Sequence, residues 1–301
     1  MNKGFLYILV NPSLPGNLLK IGKTARAPKR ASEDHPPADV PYVAFDIAVS
    51  DCDKAQAVVL SLLKDFRDSE YKDHFRLPLE QAIVKVRTVA EHIDKTDYYK
   101  KAIQIDSENP SFYNNLGCSY DKLGNHTGAI DAYKQAIQLD PGNAVFHDNL
   151  GCNYGKLGLY RKAIDAFQKA VTLRPDFIKA YFDLGYSYGQ LGFHKKAVDA
   201  FQKAIEVNPG IAQLYYNLGH SYCRLDRRKD AIKVFREAVR INPNYIQAHY
   251  SLGINYLNVN DRDGALRQYR LLKKKDIKRA RHLFNLIYRR YRSKMTGEIS
   301  I

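Results

Sequence analysis

The sequence contains no apolar stretch long enough to cross a membrane. A membrane-spanning helix needs about 20 predominantly apolar residues, whereas the apolar run near the start, FLYILV, ends after six. That run is also too short for the core of a typical signal peptide, and no small-residue cleavage site follows it closely. We therefore expect a cytoplasmic protein without a membrane span.

Cysteine, proline and glycine are all sparse. The four cysteines include no CxxC pair, so the sequence predicts neither a cysteine-based metal site nor a disulfide framework. Twelve prolines and 18 glycines in 301 residues, with a hydrophobic content of 45%, argue against a disordered chain. A chain of this length has room for two folded domains.

Negative charge is scarce toward the C-terminal end. Residues 1–95 hold 14 Lys+Arg and 13 Asp+Glu, residues 96–245 hold 20 and 15, and residues 246–301 hold 13 and 4. Such an asymmetry is typical of proteins with an acidic or nucleic-acid partner. Three interpretations of the basic end are open: a solvated cap, a nucleic-acid contact, and a contact with an acidic protein or a membrane surface.

One 34-residue pattern occurs five times. The clearest copy is VFHDNLGCNYGKLGLYRKAIDAFQKAVTLRP at residues 145–175. Its glycine column consists of Gly117, Gly151, Gly185, Gly219 and Gly253. Tyrosine, alanine and aromatic columns recur at the same step, and a fixed period of this length indicates an array of structural repeats.

Each copy predicts two helices. Gly151 and Tyr154 fit one face of a first helix, and Ala163, Phe167 and Ala170, spaced by 4 and 3, fit one face of a second. A proline that cannot continue a helix interior ends four of the copies. These prolines are Pro141, Pro175, Pro209 and Pro243.

This pattern resembles the tetratricopeptide repeat (TPR), a helix-turn-helix unit. The resemblance implies an all-α TPR solenoid, a right-handed superhelix whose concave groove binds a protein or peptide. We place the array at residues 96–276, with a partial repeat at 97–106 followed by five repeats. Residues 277–301 are predicted to form a basic capping helix and tail, because a solenoid end must cover its last hydrophobic face.

The groove of such arrays is lined by residues beside the repeated glycine, and these vary between copies. Two residues before it stand Asn115, Asn149, Asp183, Asn217 and Ser251. The run N-L-G resembles the arrays of O-linked N-acetylglucosamine transferases, in which such asparagines hold a peptide backbone. An asparagine amide both donates and accepts, so a helix-start or inter-helix hydrogen bond is an equal alternative.

Aromatic residues enter the groove in the later copies. Phe182, Tyr216 and Tyr250 stand three residues before the glycine, and Tyr186 stands one residue after it. They are candidate anchors for an apolar or aromatic side chain. The full set of partner-binding candidates is Asn115, Asn149, Phe182, Tyr186, Tyr216, Asn217 and Tyr250. Binding of this kind needs no cofactor.

The segment before the repeats predicts a small α/β domain at residues 1–95. FLYILVN, LLKIGKT and YVAFDIAVS are typical of strands. Residues 53–66 and 78–93 have apolar side chains at helical spacing, and a short helix is predicted to begin near Pro28.

The order of these motifs resembles the GIY-YIG nuclease superfamily, in the branch first noticed in an open reading frame of phage T5 and in a meiotic yeast gene. The resemblance covers nearly all of residues 4–90. It is carried by Phe5-Leu6-Tyr7, Asn11-Pro12-Ser13, Pro15-Gly16, Lys20-Ile21-Gly22-Lys23-Thr24, Pro28, Arg30 and Phe75-Arg76.

In active members of that superfamily, a tyrosine of the first motif helps to activate water, an arginine stabilises phosphate charge, and a glutamate binds a divalent metal. The resemblance gives Tyr7 and Arg30 the first two roles and puts Lys20 at the second-motif tyrosine position. The glutamate has no clean match, and Asp73 is the nearest carboxylate for Mg²⁺ or Mn²⁺. A basic cluster suited to phosphate comprises Lys20, Lys23, Arg26, Lys29 and Arg30.

Two functions therefore follow from the sequence. The first is an interaction scaffold that binds a protein or peptide through its repeats and uses the N-terminal domain for nucleic-acid contact or docking. The alternative is a divergent, metal-dependent endonuclease that its repeats position.

Overall fold

The computed structural model describes residues 3–11, 18–25, 42–67, 69 and 74–296. The chain divides into two compact units, Met1–Leu157 and Gly158–Ile301. The first unit contains the sheet and the first helices, and the second contains the remaining repeats. The predicted order, a small α/β domain followed by an all-α array of helix pairs with a capping helix, is confirmed.

Three antiparallel strands form the sheet, in the order β2-β1-β3. They are β1 (Gly4–Asn11), β2 (Leu18–Thr24) and β3 (Tyr42–Val49). Leu6, Ile8 and Val10 alternate along β1 and are buried, because they face the core shared with the helices of this domain. All three strands predicted from the sequence are present, within one residue at each end.

Two helices pack against the sheet. The first, α1, spans Cys52–Leu62, and a 3₁₀ turn at Lys64–Phe66 follows it. The predicted helix over 53–66 was therefore too long. The second, α2, spans Leu79–Ile105 without a break, because its 27 residues include neither proline nor glycine. It joins the predicted helix over 78–93 to the predicted partial repeat, so the predicted boundary after residue 95 lies inside a helix.

Eleven further helices follow in the described part of the chain. In the first unit they are α3 (Pro110–Lys122), α4 (His126–Leu139) and α5 (Ala144–Lys156). In the second unit they are α6 (Tyr160–Leu173), α7 (Ile178–Gln190), α8 (His194–Val207), α9 (Ala212–Arg224), α10 (Arg228–Ile241), α11 (Ile246–Asn258), α12 (Arg262–Lys275) and α13 (Ile277–Thr296). The period of the repeat predicts that the first helix of each copy begins near a fixed column, and the structure confirms all five starts. They are Pro110, Ala144, Ile178, Ala212 and Ile246. None of the described helices is both long and apolar enough to cross a membrane.

In three copies, at Gly117, Gly185 and Gly219, the repeated glycine lies directly under the aromatic ring of the second helix in the same repeat. A methyl group on Gly117 would come within 2.7 Å of the Tyr133 ring. The same group on Gly219 would come within 2.5 Å of Phe235. Real carbon contacts are not this short, so the aromatic columns pack tightly only because the facing position has no side chain.

Consecutive repeats of the second unit are joined by a repeated hydrogen bond. The Gln168 amide donates to the Tyr188 hydroxyl at 2.7 Å, and the Gln202 amide donates to the Tyr222 hydroxyl at 3.3 Å. Each bond runs from the second helix of one repeat to the first helix of the next. The tyrosine column thus couples neighbours, as expected of a solenoid in which each repeat contacts only the adjacent ones.

The last repeat is completed by α13. A methyl group on Gly253 would lie 2.6 Å from the side chain of Leu283, which takes the place that an aromatic ring fills in earlier repeats. Tyr269, the aromatic residue of this repeat, is only half-buried, whereas Phe235 is fully buried. The predicted capping helix is therefore present, and its apolar face replaces the last aromatic contact.

Candidate functional site

The face of the sheet opposite the helices carries Tyr7, Lys20 and Asp46. Tyr7 on β1 stands opposite Gly22 on β2 and Asp46 on β3, so the three share one face. Lys20 lies two residues before Gly22, which puts it on that face as well, and it is exposed. The structure therefore brings together two of the residues predicted from the nuclease resemblance.

The ring of Tyr7 lies against the backbone of Gly22. A methyl group on Gly22 would be 2.1 Å from Cζ of Tyr7 and 2.3 Å from its hydroxyl oxygen. Any larger residue at position 22 would displace the ring. Gly22 therefore fixes the place of the Tyr7 hydroxyl over β2.

Lys23 lies on the other face of the sheet. It stands opposite Leu6, which is fully buried in the core. Its ammonium group donates a hydrogen bond to the carboxylate of Asp53 on α1, and this bond raises the pKa of Lys23. Lys20 and Lys23 thus point in opposite directions, so a phosphate on the Tyr7 face would meet only Lys20 of the two.

Four predicted residues of this domain lie outside the described part of the chain. They are Arg26, Lys29, Arg30 and Asp73. The short helix predicted near Pro28 lies outside it as well. Whether Arg30 and the candidate metal ligand Asp73 approach Tyr7 stays a prediction.

Asp46 was missed by the sequence reasoning. The signal was present, because Asp46 is a single carboxylate within the otherwise apolar strand YVAFDIAV. Strand alternation alone does not reveal which residue it faces, since that depends on the register between β1 and β3.

A cleft of about 230 Å³ lies among α7, α8 and α9 in the second unit. Its polar lining consists of Tyr186, Gln190, His194, Asn217, His220, Ser221 and Arg224. The described lining contains no aspartate or glutamate. The cleft therefore presents hydrogen-bond donors and positive charge on the first helices of two consecutive repeats.

Gly189 keeps this cleft open. A methyl group built on it would meet no atom within 4 Å, in contrast to the column glycines. It lies within α7 and contributes only backbone to the lining. A Cβ atom at this position would therefore point into open space at the cleft.

The packing around His220 lowers the pKa of its imidazole. Its ring packs edge-on against Tyr216, with centroids 4.5 Å apart, and against Phe235 at 5.4 Å. Desolvation by these neighbours, and to a smaller extent the charge of Arg224, lowers the pKa of His220. The imidazole is consequently a neutral group that a bound anion would help to protonate.

The predicted asparagine column makes hydrogen bonds within the protein. In the first unit, the amide of Asn149 donates to Asn114 at 3.0 Å, and the amide of Asn114 lies 3.4 Å from the side-chain oxygen of Asn115. In the second unit, Asn217 donates to the backbone carbonyl of Gln213 at 2.8 Å. The inter-helix alternative therefore describes Asn149, while Asn217 still lines the cleft.

The aromatic column is largely engaged in packing. The Phe182 ring lies 6.0 Å from that of Phe201. The Tyr216 ring is 5.0 Å from that of Tyr245. The Tyr250 hydroxyl contacts His282 on α13. Tyr186 differs, because it is 48% exposed at the edge of the cleft.

Family models match most of the chain. The model described as tetratricopeptide repeat matches residues 110–143, a second model of that description matches 182–246, and one described as TPR repeat matches 154–192. The model described as T5orf172 domain matches residues 4–90. The last match coincides with the extent of the GIY-YIG resemblance.

Solved structures are similar over the repeats. A crystal structure of MamA is 32% identical, with a TM-score of 0.53, over 55% of this chain and 97% of that chain. YrrB, described as a TPR protein with an unusual peptide-binding site, is 22% identical, with a TM-score of 0.56, over 63% of this chain and 99% of its own. MamA of Desulfovibrio magneticus RS-1 is also 22% identical, with a TM-score of 0.52, over 56% and 97%. No curated protein matches the sequence.

Proposed function

Because the chain belongs to the tetratricopeptide repeat proteins and carries a T5orf172 domain at its N terminus, we propose that it is an interaction scaffold that binds an acidic peptide segment in the cleft of its second unit. The observation that carries this proposal is the cleft itself. It is open at Gly189, lined by hydrogen-bond donors and the Arg224 guanidinium, and bordered by the first helices of two consecutive repeats.

The chemistry of the lining favours a carboxylate. Arg224 offers a planar fork of donors, and His220 gains a proton more readily beside an anion. Asn217 and Gln190 can serve the peptide backbone, whatever its sequence. The unusual peptide-binding site described for YrrB supports binding by an array of this fold.

Selection of peptides from a random library displayed on phage tests the proposal. We expect the selected peptides to be enriched in aspartate and glutamate, and to bind Arg224→Gln about 10 to 100 times more weakly, since a charge-assisted hydrogen bond is lost. Gly189→Leu should abolish binding by filling the cleft.

Gly155→Leu is the matched control. Gly155 stands at the equivalent position of the preceding repeat, and a methyl group there also meets no atom within 4 Å. It should leave binding unchanged. Peptides without acidic enrichment, or equal binding to the parent and Gly189→Leu, would reject the cleft as the site.

A second candidate function is cleavage of nucleic acid by the N-terminal domain. It is favoured by the shared face of Tyr7, Lys20 and Asp46. Asp46 fits a hard divalent cation in part, because Mg²⁺ is often bound by one or two carboxylates together with water and substrate phosphate. Asp73 is the other candidate ligand. Bound metal would supply charge stabilisation at the phosphate.

Nicking of supercoiled plasmid in Mg²⁺ or Mn²⁺ tests this second function. Tyr7→Phe, Arg30→Ala and Asp46→Asn are each expected to reduce nicking, while Lys23→Gln, on the opposite face, should not. Absence of nicking by the parent, or nicking unaffected by Tyr7→Phe and Arg30→Ala, would leave a domain that docks nucleic acid or a protein without cutting.

A further inference from the structure

The helix pair α12–α13 carries far more positive charge than the chain can neutralise locally. Residues 262–294 contain 13 Lys+Arg and two aspartates. One of these, Asp276, is bound by Arg279 in the next turn. Two carboxylates cannot balance thirteen cations, so this pair requires an anionic partner or a large counterion atmosphere.

Three aromatic rings form a row on the same helix pair. The rings of Tyr269 and Phe284 have centroids 5.2 Å apart, and those of Phe284 and Tyr288 are 6.5 Å apart and nearly parallel, at 17°. Phe284 is 42% exposed and Tyr288 is 52% exposed. Both rings are therefore partly accessible to a ligand.

The row exists because α13 displaces Tyr269 from the core. Leu283 occupies the space over Gly253, and Tyr269 lies against Phe284 instead. Each ring is thus held by its neighbour. A ligand that stacks on a ring already held in place loses less conformational entropy than one that must order it.

Exposed cations flank the row. Lys273 is one turn after Tyr269 on α12, and Arg281 is one turn before Phe284 on α13. Side chains three or four residues apart on a helix lie side by side. From this combination of stacked rings and flanking cations, we propose that α12–α13 binds single-stranded nucleic acid, with bases on the rings and phosphates on the cations.

Other anionic partners fit this surface less well. A membrane-surface helix needs a broad free apolar face, whereas Ala280, Leu283 and Ile287 on α13 are already buried against α11 and α12. A second copy would bring two surfaces of charge +11 together. A duplex hides its base faces, so the rings would have nothing to stack on.

Fluorescence anisotropy tests the proposal. It measures binding of the full chain to a fluorescein-labelled oligothymidylate of about 20 nucleotides. The double variant Phe284→Leu/Tyr288→Leu keeps apolar area but removes both rings. It should weaken binding about 25-fold or more, because each of the two lost stacking contacts is expected to weaken binding by about fivefold or more. The control Phe193→Leu, at another exposed aromatic residue of the second unit, should bind as the parent does.

Salt dependence provides a second readout. Lys273→Gln/Arg281→Gln should reduce the slope of log affinity against log salt by about 1.4, since each single-strand phosphate contact contributes about 0.7. Circular dichroism of each variant checks that its helices are retained.

Three outcomes would overturn the proposal. The first is parent-level binding by the leucine double variant. The second is an unchanged salt slope in Lys273→Gln/Arg281→Gln. The third is binding to phosphatidylserine vesicles without binding to the oligonucleotide. The peptide selection described above does not involve these residues, so either proposal can fail without the other.

Discussion

Gly219 has no room for a side chain where the two helices of its repeat meet. A methyl group there would lie 2.5 Å from the ring of Phe235, which is itself fully buried. We expect Gly219→Ala to lower the free energy of unfolding by about 1 to 3 kcal/mol, because overpacking forces the ring or the backbone to move. Urea unfolding followed by circular dichroism measures the change.

Gly189→Ala is the control for this effect. The same methyl group meets no atom within 4 Å, and Gly189 also lies in a helix. Alanine there should leave stability unchanged or raise it by up to about 1 kcal/mol through helix propensity. Equal destabilisation by both substitutions would show that the ring contact at Gly219 is not the cause.

The turn between the two helices of a repeat requires a left-handed backbone. Gly124, Gly158 and Gly192 occupy it with φ of 72–77°, but Asp226 and Asn260 adopt φ of 56° and 63°. Asp226→Gly should raise the free energy of unfolding by about 0.5 to 1 kcal/mol, because glycine adopts this conformation without strain. The exposed ion pair from Asp226 to Arg228 contributes little to offset the gain.

Asn260→Gly should not give the same gain. The Asn260 side chain accepts a hydrogen bond from Arg290 of α13 at 3.1 Å, which glycine would remove. Comparing the thermal unfolding midpoints of Asp226→Gly and Asn260→Gly separates the gain from relieving backbone strain from the loss of the hydrogen bond to Arg290. A larger rise for Asn260→Gly than for Asp226→Gly would contradict this account.

At the residue scale, the sequence predicted which residues belong to the site better than it predicted which face of the sheet each of them occupies. The motif that contains Lys20 and Lys23 was recognised, but only strand register shows that Lys20 shares a face with Tyr7 and Lys23 does not. Asp46 was missed for the same reason. A single strand specifies alternation, whereas the partner across the sheet depends on pairing that is not local.

At the scale of elements, the cleft among α7, α8 and α9 should respond to pH. In the unbound protein, burial lowers the pKa of His220, and a bound carboxylate would raise that pKa. Protonation therefore favours the complex, and affinity for an acidic peptide should rise several-fold as pH falls from about 8 to about 5.5. Isothermal titration calorimetry across this range measures it.

The other groups that face His220 determine the controls for this prediction. Tyr186, His194 and Arg224 line the same cleft. Because His194 is the second histidine of the lining, His194→Gln is tested beside His220→Gln. If affinity depends on pH as strongly in His220→Gln as in the parent, His220 is not the linked group.

Helix extents were predicted well where the sequence repeats and less well where it does not. Five first helices begin at the predicted residues, because several columns locate each one together. The continuous α2 was predicted as two pieces, since residues 78–93 and 97–106 match two different patterns. No proline or glycine interrupts the helix between these two segments, so the helix continues although the residue pattern changes.

At the scale of the whole molecule, the array should lose stability locally. Leu283→Ala would open a cavity over Gly253 and cost about 2 to 5 kcal/mol. Because repeats contact only their neighbours, amide hydrogen exchange should accelerate in α11–α13 and remain unchanged in the first unit. Leu271→Ala, at an exposed position of α12, is the control. It should change neither the free energy of unfolding nor the amide exchange rates.

The repeat array could be predicted from the sequence because the same set of packing positions recurs in every copy. The basic end and the groove residues Tyr186 and Asn217 were candidates from the sequence, but the cleft beside Gly189 and the row of rings were not predicted, since both arise where a copy departs from the pattern. Gly189 leaves a space that a side chain fills in some other copies, and Tyr269 leaves the position that its counterparts occupy. Averaging one position over the five copies hides such departures. Their structural effect depends on which side chains of the neighbouring helices lie beside them.

The substitution of Leu283 for an aromatic ring also limits how this protein can change length. A new repeat placed after α12 would separate Leu283 from Gly253 and leave that glycine uncovered. A copy duplicated ahead of α11 would bring its own ring and leave the closing contact intact. Gain or loss of repeats is therefore tolerated inside the array and opposed at its final helix pair, so descendants of this chain should differ in repeat number while keeping α11–α13 together.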